Sequence, residues 1–150
     1  MIISFDLDDT LIPGIKTFDT SRKSLIHKIL KIESLRVGTV ELMKNLQASG
    51  HKIYIYTTSF RTTTKIWVTF LLHGIKLDKI INQKIHDITL KDKAKLYSKY
   101  PPIFNIDIHV DDSVGVQIEG KRHNFKTIII SENDLKWTES ILAKIALFHH

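Results

Sequence analysis

Cysteine is absent from this sequence of 150 residues, and so are repeats and low-complexity tracts. Without cysteine, neither a disulfide framework nor a thiolate metal site can form, and this composition fits a reducing compartment. No apolar run approaches the roughly 20 residues that a membrane-spanning helix needs. The first residues carry no basic region and no small-residue cleavage site, so we expect no signal peptide. These absences favour a cytoplasmic protein that does not enter a membrane.

Acidic residues are the minority among the charged ones. The 22 lysines and arginines exceed the 16 aspartates and glutamates, which gives a formal net charge of +6. A positive charge of this size attracts phosphates and nucleic acid over long range, although it identifies neither a fold nor a substrate. The basic residues are not interleaved with aromatic residues, so the sequence does not predict a nucleic-acid platform. The closing His149-His150 resembles the remnant of a purification tag.

Short apolar runs alternate with helical patterns along the whole chain. Runs rich in β-branched and aromatic residues predict strands at 2–5, 53–56, 79–81, 106–110 and 126–130. Apolar residues at helical spacing predict helices at 20–31, 38–49, 62–73, 90–97 and 137–148. Strands that alternate with helices pair in parallel through right-handed crossovers. The sequence therefore predicts one α/β domain with a three-layer, Rossmann-like fold, in which helices cover both faces of a parallel sheet of about five strands.

Three of the predicted helices carry expectations about their packing. The helix at 20–31 is amphipathic, with an apolar face formed by Leu25, Ile26, Ile29 and Leu30. The helix at 62–73 is so apolar that we expect it to be buried, with Thr58 and Ser59 capping its start. Two tryptophans are expected on helix faces that contact the core, namely Trp67 and Trp137.

Acidic or hydroxyl side chains follow three of the predicted strands. The first strand is followed by Asp6-Leu7-Asp8-Asp9-Thr10, the second by Thr57-Thr58-Ser59 and the fourth by Asp111-Asp112-Ser113. The carboxyl ends of parallel strands meet at one edge of the sheet, where ligands bind in folds of this class. Carboxylates crowded at one edge repel one another unless a cation lies between them. Ligands that are all oxygen suit a hard cation, magnesium first, which also binds substrate phosphate.

Asp6 and Asp8 form a pair suited to phosphoryl transfer. They are two residues apart, so in extended backbone their side chains point to the same side. One carboxylate can then attack phosphorus while the other handles the proton of the leaving group, which splits hydrolysis into formation and breakdown of an acyl phosphate. The cation, Thr57 and a lysine would supply positive charge and hydrogen-bond donors to the transferred phosphoryl oxygens.

Three segments resemble motifs of the haloacid dehalogenase superfamily and stand in that family's order. Residues 2–11, IISFDLDDTL, look like motif I, residues 52–57, KIYIYT, look like motif II, and residues 108–112, IHVDD, look like motif IV. The resemblance spans about residues 1–130. It implies a single phosphatase-type domain of this family over residues 1–150, with a small flap around 12–36 and no large cap.

The resemblance also implies a role for each matched residue. Asp6 would be the nucleophile and Asp8 the general acid and base, whereas Thr57 would bind a phosphoryl oxygen, with Thr58 beside it as a substrate-binding residue. Magnesium would be held by four aspartates: Asp6, Asp8 through its backbone carbonyl, Asp111, and Asp112 through water. The aspartate at position 8 makes this sequence resemble the phosphatases and phosphotransferases of the family. Dehalogenases lack this second aspartate, and transport ATPases have lysine there.

The third motif of the family is a lysine ahead of the fourth strand, and the candidates are Lys91, Lys93, Lys95 and Lys99. Lys99 is preferred because it ends a predicted helix beside the rigid Pro101-Pro102 turn. Lys93 remains the alternative, because its separation of 18 residues from Asp111 is nearer to that of many relatives. Exposed lysines on a helix are usually solvated, which is what we expect of the others. His109, within the fourth strand, is expected to pack rather than react.

The sequence thus predicts a magnesium-dependent phosphatase that hydrolyses phosphate monoesters through an aspartyl-phosphate on Asp6. Two alternatives stay open, a receiver-like phospho-signalling domain and a catalytically quiet metal-binding protein. A receiver carries its phosphorylated aspartate after the third strand, where this sequence has Ile81-Asn82. The sequence does not indicate the physiological substrate. An open site without a large cap suits a phosphorylated small molecule, a nucleotide or a macromolecule end, and a homo-oligomer is one arrangement that would close it.

Overall fold

The structure, a computed structural model, describes residues 1–148, so His149-His150 lies outside the described residues. Five parallel strands form one sheet in the order β3-β2-β1-β4-β5. The strands are β1 Ile2–Phe5, β2 Lys52–Tyr56, β3 Lys79–Ile81, β4 Ile108–Asp111 and β5 Lys126–Ile129. The predicted α/β fold with a parallel sheet of about five strands is confirmed, and each strand lies within about two residues of its predicted position.

Six helices flank the sheet in a Rossmann-like, three-layer arrangement. They are α1 Leu25–Ile29, α2 Thr39–Ala48, α3 Thr63–Leu72, α4 Gln83–Leu90, α5 Val114–His123 and α6 Trp137–Leu147. Two short 3-10 helices, Lys91–Leu96 and Pro101–Phe104, precede β4. Among the described residues, no helix combines the length and the apolar character that crossing a membrane requires.

The central strands are buried on both faces, since the polar residues Ser4 and His109 on one face are as fully buried as the apolar residues on the other. Ile3, Phe5, Ile108 and Val110 have no exposed surface. The strand order reverses at β1, which lies between β2 and β4. In open parallel sheets, the crevice for a ligand lies at the carboxyl ends of the strands beside such a reversal. The fold therefore directs attention to the residues that follow β1 and β4.

The helix predicted over 20–31 is wrong in length and in packing. Only Leu25–Ile29 is helical, and Ser24 begins it by accepting a hydrogen bond from the backbone N–H of His27. This short helix lies in the segment between β1 and α2, and none of its residues is buried. The residues expected on its buried face are 55% to 73% exposed, namely Leu25, Ile26, Ile29 and Leu30.

The helix predicted around 90–97 is also misplaced, because the regular helix α4 ends at Leu90 and a 3-10 helix follows. The backbone of Lys91 has a φ of +52°, a left-handed conformation that interrupts a regular helix. Asn82 begins α4 by accepting a hydrogen bond from the N–H of Ile85. The sequence analysis did not identify α5, although it begins directly after Ser113 and ends at Asn124, which has a φ of +56°.

Helix α3 is only half buried, which corrects the expectation of a fully buried helix. Trp67 is 44% exposed, whereas Trp137 on α6 is 4% exposed, so the prediction of a core position is wrong for the first and confirmed for the second. Thr58 and Ser59 do not cap α3. Thr62 does so, by accepting a hydrogen bond from the N–H of Lys65.

Candidate active site

The pairing register of β1 and β4 brings two carboxylates to the same edge of the sheet. Phe5 pairs with Val110, so Asp6 and Asp111 follow at neighbouring positions. The N–H of Asp6 donates to the carbonyl of Val110 over 2.8 Å, which fixes the backbone of Asp6 beside β4. Both aspartates are less than 8% exposed. Two buried carboxylates side by side are costly unless a cation compensates them.

Lys99 supplies that cation. Its Nζ donates to Oδ1 of Asp6 over 2.5 Å and to the carbonyl of Tyr56 over 2.8 Å, and it lies 3.6 Å from Oδ2 of Asp111. The Lys99 side chain is 3% exposed. The other candidate lysines lie exposed on the 3-10 helix ahead of it, namely Lys91, Lys93 and Lys95. The structure thus brings Lys99, rather than Lys93, to Asp6, while the catalytic role of Lys99 stays a prediction.

Lys99 lies in an irregular segment between the two 3-10 helices, and not at the end of a helix as expected. Its backbone is held on both sides by side chains from elsewhere in the fold. Glu119 on α5 accepts hydrogen bonds from the N–H groups of Ser98 and Lys99. The N–H of Tyr100 donates to the hydroxyl of Tyr56 over 2.9 Å. The position of Lys99 therefore depends on α5 and β2, which are distant from it in sequence.

His109 fixes the orientation of Asp111. Its Nε2 lies 3.0 Å from Oδ2 of Asp111, and its Nδ1 lies 2.7 Å from the hydroxyl of Ser4, its partner in the register of β1 and β4. Burial lowers the pKa of His109, which favours the neutral ring. Because a carboxylate only accepts, Nε2 carries the proton and Nδ1 accepts from Ser4. His109 packs in the core, as expected, and also contacts a site residue.

The two buried carboxyls differ in their pKa values. Burial raises the pKa of Asp6 to about 6, against the opposing charge of Lys99 and with a further contribution from the carboxylate of Asp111. Burial also opposes ionisation of Asp111, but the hydrogen bond from His109 and the charge of Lys99 outweigh it and hold the pKa of Asp111 below its ordinary value. Asp111 is therefore the more permanent anion. We refer to Asp6, Lys99, His109 and Asp111 as the inner cluster.

Asp8 lies further out, in a second group of charged residues. Nη1 of Arg61 contacts both oxygens of Asp8, at 2.8 and 2.9 Å. The opposite side of the same guanidinium donates to both oxygens of Glu33, which precedes α2. The side chains of Asp8 and Arg61 are 41% and 23% exposed. We refer to Asp8, Arg61 and Glu33 as the outer clasp.

Asp112 is also paired on the outer side of the site. Its Oδ2 lies 2.6 Å from Nζ of Lys16, and its Oδ1 accepts from the hydroxyl of Thr10 at 3.3 Å. The neighbouring Asp9 has a φ of +61° and accepts hydrogen bonds from the N–H groups of Gly14 and Lys16. Asp9 thereby shapes the turn that follows β1.

Thr57 and Thr58 occupy different positions at the end of β2. Thr57 is 1% exposed, and its hydroxyl oxygen accepts from the N–H of Ser59 over 3.1 Å, so the hydroxyl proton is available for another acceptor. Thr58 is exposed and lines the cleft above the carboxylates. The structure therefore places both residues at the predicted edge of the sheet, with only Thr58 on the cleft surface.

A cleft of about 260 Å³ opens over these side chains. It is lined by Asp6, Asp8, Asp9, Thr58, Ser98, Lys99, Asp111, Asp112, Ser113 and Val116. Asp6, Asp111 and Asp112 each offer one oxygen, and the three oxygens lie within 4.8 Å of one another. Such a donor set, all oxygen and strongly anionic, fits a hard divalent cation such as Mg²⁺. The Asp8 carboxylate is not among these three donors, and both its oxygens contact Arg61.

Four residues around the predicted site were not predicted from the sequence. Lys16 pairs with Asp112, Arg61 pairs with Asp8, Glu33 pairs with Arg61, and Glu119 accepts from the N–H of Lys99. Arg61 and Glu33 are 28 positions apart, and no motif or periodicity links them. The one available signal for Arg61 was its position four residues after Thr57, within the loop that follows β2. No model of a known protein family matches the chain, and no curated protein matches it either.

Proposed function

We propose that this chain is a magnesium-dependent phosphatase of the haloacid dehalogenase superfamily, which hydrolyses phosphate monoesters through an aspartyl-phosphate on Asp6. The observation that carries the proposal is the contact of 2.5 Å between Nζ of Lys99 and Oδ1 of Asp6 in a buried setting beside Asp111. A buried ammonium that touches one carboxylate and neighbours another favours attack on an anionic group, because it offsets the repulsion between substrate and nucleophile.

In the first step, the free oxygen of Asp6 attacks phosphorus while the bond from phosphorus to the leaving oxygen breaks. Asp8 gives its proton to that leaving oxygen. Lys99 keeps Asp6 oriented and donates to a phosphoryl oxygen, and the hydroxyl of Thr57 is a second donor. Magnesium, held by Asp6, Asp111, Asp112 and the carbonyl of residue 8, would supply positive charge to the phosphoryl oxygens.

In the second step, Asp8 takes a proton from water, and the resulting hydroxide attacks phosphorus. The bond from phosphorus to Asp6 breaks, which releases inorganic phosphate and restores both carboxyl groups. The difference in burial between the two aspartates supports this division of roles. Asp6 is buried, and a nucleophile in phosphoryl transfer benefits from the loss of its water shell. The Asp8 side chain is 41% exposed and lines the cleft, so the leaving group and water can reach it.

The receiver-like alternative has no support from the residues at the end of β3. Asn82 follows that strand, and its side-chain oxygen accepts from Ile85 at the start of α4 while its amide donates to the carbonyl of Arg61. A receiver would need an ionised aspartate there. We therefore retain the phosphatase as the proposed function.

The proposed function is tested by incubating the purified chain with 4-nitrophenyl phosphate, with and without Mg²⁺. We expect Mg²⁺-dependent release of 4-nitrophenol, and mass spectrometry of an acid-quenched sample should locate the phosphoryl group on the peptide that contains Asp6. Phosphate release without any phosphorylated Asp6 would contradict the covalent mechanism. No release from any phosphate monoester in a broad panel would contradict the phosphatase function itself.

The proposed substrate is one that an open cleft can admit. Between β1 and α2 the described chain contains only the five-residue helix α1 and irregular segments, which is consistent with a small flap and no large cap. A phosphorylated small molecule, a nucleotide or the end of a macromolecule would each fit such an entrance. The formal net charge of +6 favours substrates that carry negative charge.

A further inference from the structure

Arg61 uses donors on both sides of its guanidinium group, and one of its partners, Asp8, lines the cleft. Nη1 donates to Asp8 and, over 2.8 Å, to the hydroxyl of Ser59. Nε and Nη2 donate to Glu33 over distances of 2.8 to 3.2 Å. This is the fork-to-carboxylate geometry that fixes both position and orientation, which a lysine cannot reproduce.

The backbone of Arg61 is anchored as firmly as its side chain. Its N–H donates to the hydroxyl of Ser59 over 3.1 Å, and its carbonyl accepts from the side-chain amide of Asn82 over 2.9 Å. Asn82 is 6% exposed and also begins helix α4. The guanidinium is therefore presented to Asp8 from a loop whose backbone is held by hydrogen bonds on both sides of Arg61.

One explanation of Arg61 is that it binds an anionic group of the substrate. The charges of the outer clasp argue against this, because two carboxylates and one guanidinium sum to a formal charge of −1. An incoming phosphate or carboxylate would meet this net negative charge, and to take the donors already in use it would displace Asp8 or Glu33, which leaves a carboxylate unpaired. The contacts thus describe an arginine whose partners are already present in the protein.

We propose that Arg61 is a positioning residue, which holds the Asp8 carboxyl where it can exchange a proton with the leaving group and with water. Glu33, from the flap, holds Arg61 in turn. This inference rests on the proposed function, because it assigns a purpose to Asp8 in that reaction. A displacement of about 1 Å in a reacting group can cost roughly a hundredfold in rate, so an unheld Asp8 would be a poor acid and base.

Arg61→Gln tests the proposal through its dependence on the leaving group. 2,4-Dinitrophenol leaves readily as an anion, whereas phenol needs a proton from Asp8, and the two phosphate esters are similar in size. We expect kcat/KM for phenyl phosphate to fall about a hundredfold and kcat/KM for 2,4-dinitrophenyl phosphate to change less than about threefold. We also expect kcat for both esters to fall, because release of phosphate from Asp6 uses Asp8 as the base.

Three further variants complete the experiment. Glu33→Gln should shift the ratio of the two kcat/KM values in the same direction but less, and Arg61→Lys should restore little of the loss because it lacks the fork. Arg22→Gln is the matched control, because Arg22 is an exposed arginine within the flap. This variant should leave the ratio unchanged. Because each ratio is measured on one preparation, it does not depend on how much of a variant is folded.

The double variant Asp8→Asn/Arg61→Gln separates positioning from direct binding. If Arg61 acts through Asp8, the second substitution should add less than about twofold to the loss already caused by Asp8→Asn. Equal losses of kcat/KM on both esters, or losses that multiply in the double variant, would overturn the proposal and indicate direct contact with substrate. A wild-type protein inactive on both esters would instead contradict the proposed function.

Discussion

The inner cluster and the outer clasp contain the same kinds of groups, carboxylates paired with a cation, in different surroundings. In the inner cluster, the side chains of Asp6, Lys99 and Asp111 are between 3% and 10% exposed. In the outer clasp, those of Asp8, Arg61 and Glu33 are between 23% and 41% exposed. Charge interactions are strong where water is excluded and weak where it is not. The comparison indicates that a change of charge in the inner cluster should affect the protein more strongly than the same change in the outer clasp.

The inner cluster should show the largest loss of activity when its nucleophile is removed. We expect Asp6→Asn to abolish Mg²⁺-dependent turnover of 4-nitrophenyl phosphate, a loss of at least about 10⁴-fold, because the amide keeps the shape of the side chain and lacks the attacking charge. The control is Asp92→Asn, at an exposed position on the first 3-10 helix, which should keep wild-type turnover. Wild-type turnover by Asp6→Asn would remove Asp6 from the mechanism.

The outer clasp should affect one chemical step more than the other. We expect Asp8→Asn to form the phosphoryl-enzyme from 2,4-dinitrophenyl phosphate at a nearly unchanged rate, because this leaving group needs no proton. Release of phosphate should be about 10²- to 10⁴-fold slower, because Asp8 is the base in that second step. Rapid-quench measurements should then show a burst followed by slow turnover. Equal slowing of both steps would instead indicate that Asp8 has a structural role.

Lys99 is the cation of the inner cluster, and replacing it tests whether that cluster is the catalytic one. We expect Lys99→Ala to reduce kcat/KM at least about a hundredfold, roughly 2.7 kcal/mol, which is the effect of removing one preorganised donor to an oxyanion. Lys93→Ala is the matched control and should change kcat/KM little, because Lys93 is exposed. If Lys93→Ala lost activity and Lys99→Ala kept it, the inner cluster would not be the catalytic one.

The smallest expected effect is on stability, and it follows from the pKa of Asp6, which burial raises from 3.8 to about 6. The folded protein then binds this proton more tightly than the unfolded chain does. Its contribution to stability is therefore fully present below about pH 4 and is lost as the pH rises through about 6. Without metal, we expect wild type to lose stability relative to Asp6→Asn across this range.

Mg²⁺ should reverse that loss, because the cation needs the carboxylate form of Asp6. We expect saturating Mg²⁺ to raise the Tm of the wild type by a few degrees at about pH 7.5 and by less at about pH 5, where the proton competes. Asp6→Asn should show a smaller rise at both values. A larger rise at the lower pH would contradict the assignment of Asp6 as a ligand. Differential scanning calorimetry provides the measurement.

Much of the architecture could be predicted from short-range sequence patterns. Runs rich in β-branched and aromatic residues identified all five strands, because such side chains pack well on a sheet. The same reasoning failed for residues 20–31, where helical spacing predicted a buried face and the structure has a five-residue helix with exposed apolar side chains. Periodicity reports which residues could share a face, but whether another element covers that face depends on the fold.

The candidate site divides in the same way. Asp6, Asp8, Asp111 and Asp112 could be predicted because each follows a strand, and the carboxyl ends of parallel strands necessarily meet. The sequence offered several candidate lysines for the one beside Asp6 and could not decide among them. The position of Lys99 depends on contacts with Glu119 and Tyr56, which no local pattern predicts. Arg61 and Glu33 could not be found at all, because nothing in the spacing of an arginine and a glutamate 28 residues apart predicts their contact.

The sequence by itself determined the five strands and the set of aspartates at the carboxyl edge, because both depend on residues adjacent in the chain. The tertiary structure decided which lysine meets Asp6, that His109 orients Asp111, and that Arg61 holds Asp8. The contacts of Lys99 with Asp6 and of Arg61 with Asp8 join residues 93 and 53 positions apart, and the ring of His109 is held by Ser4 on the neighbouring strand. A contact at such separation forms only when the intervening elements pack in one particular arrangement. Its physical cause is the packing of the whole domain, which no local pattern records.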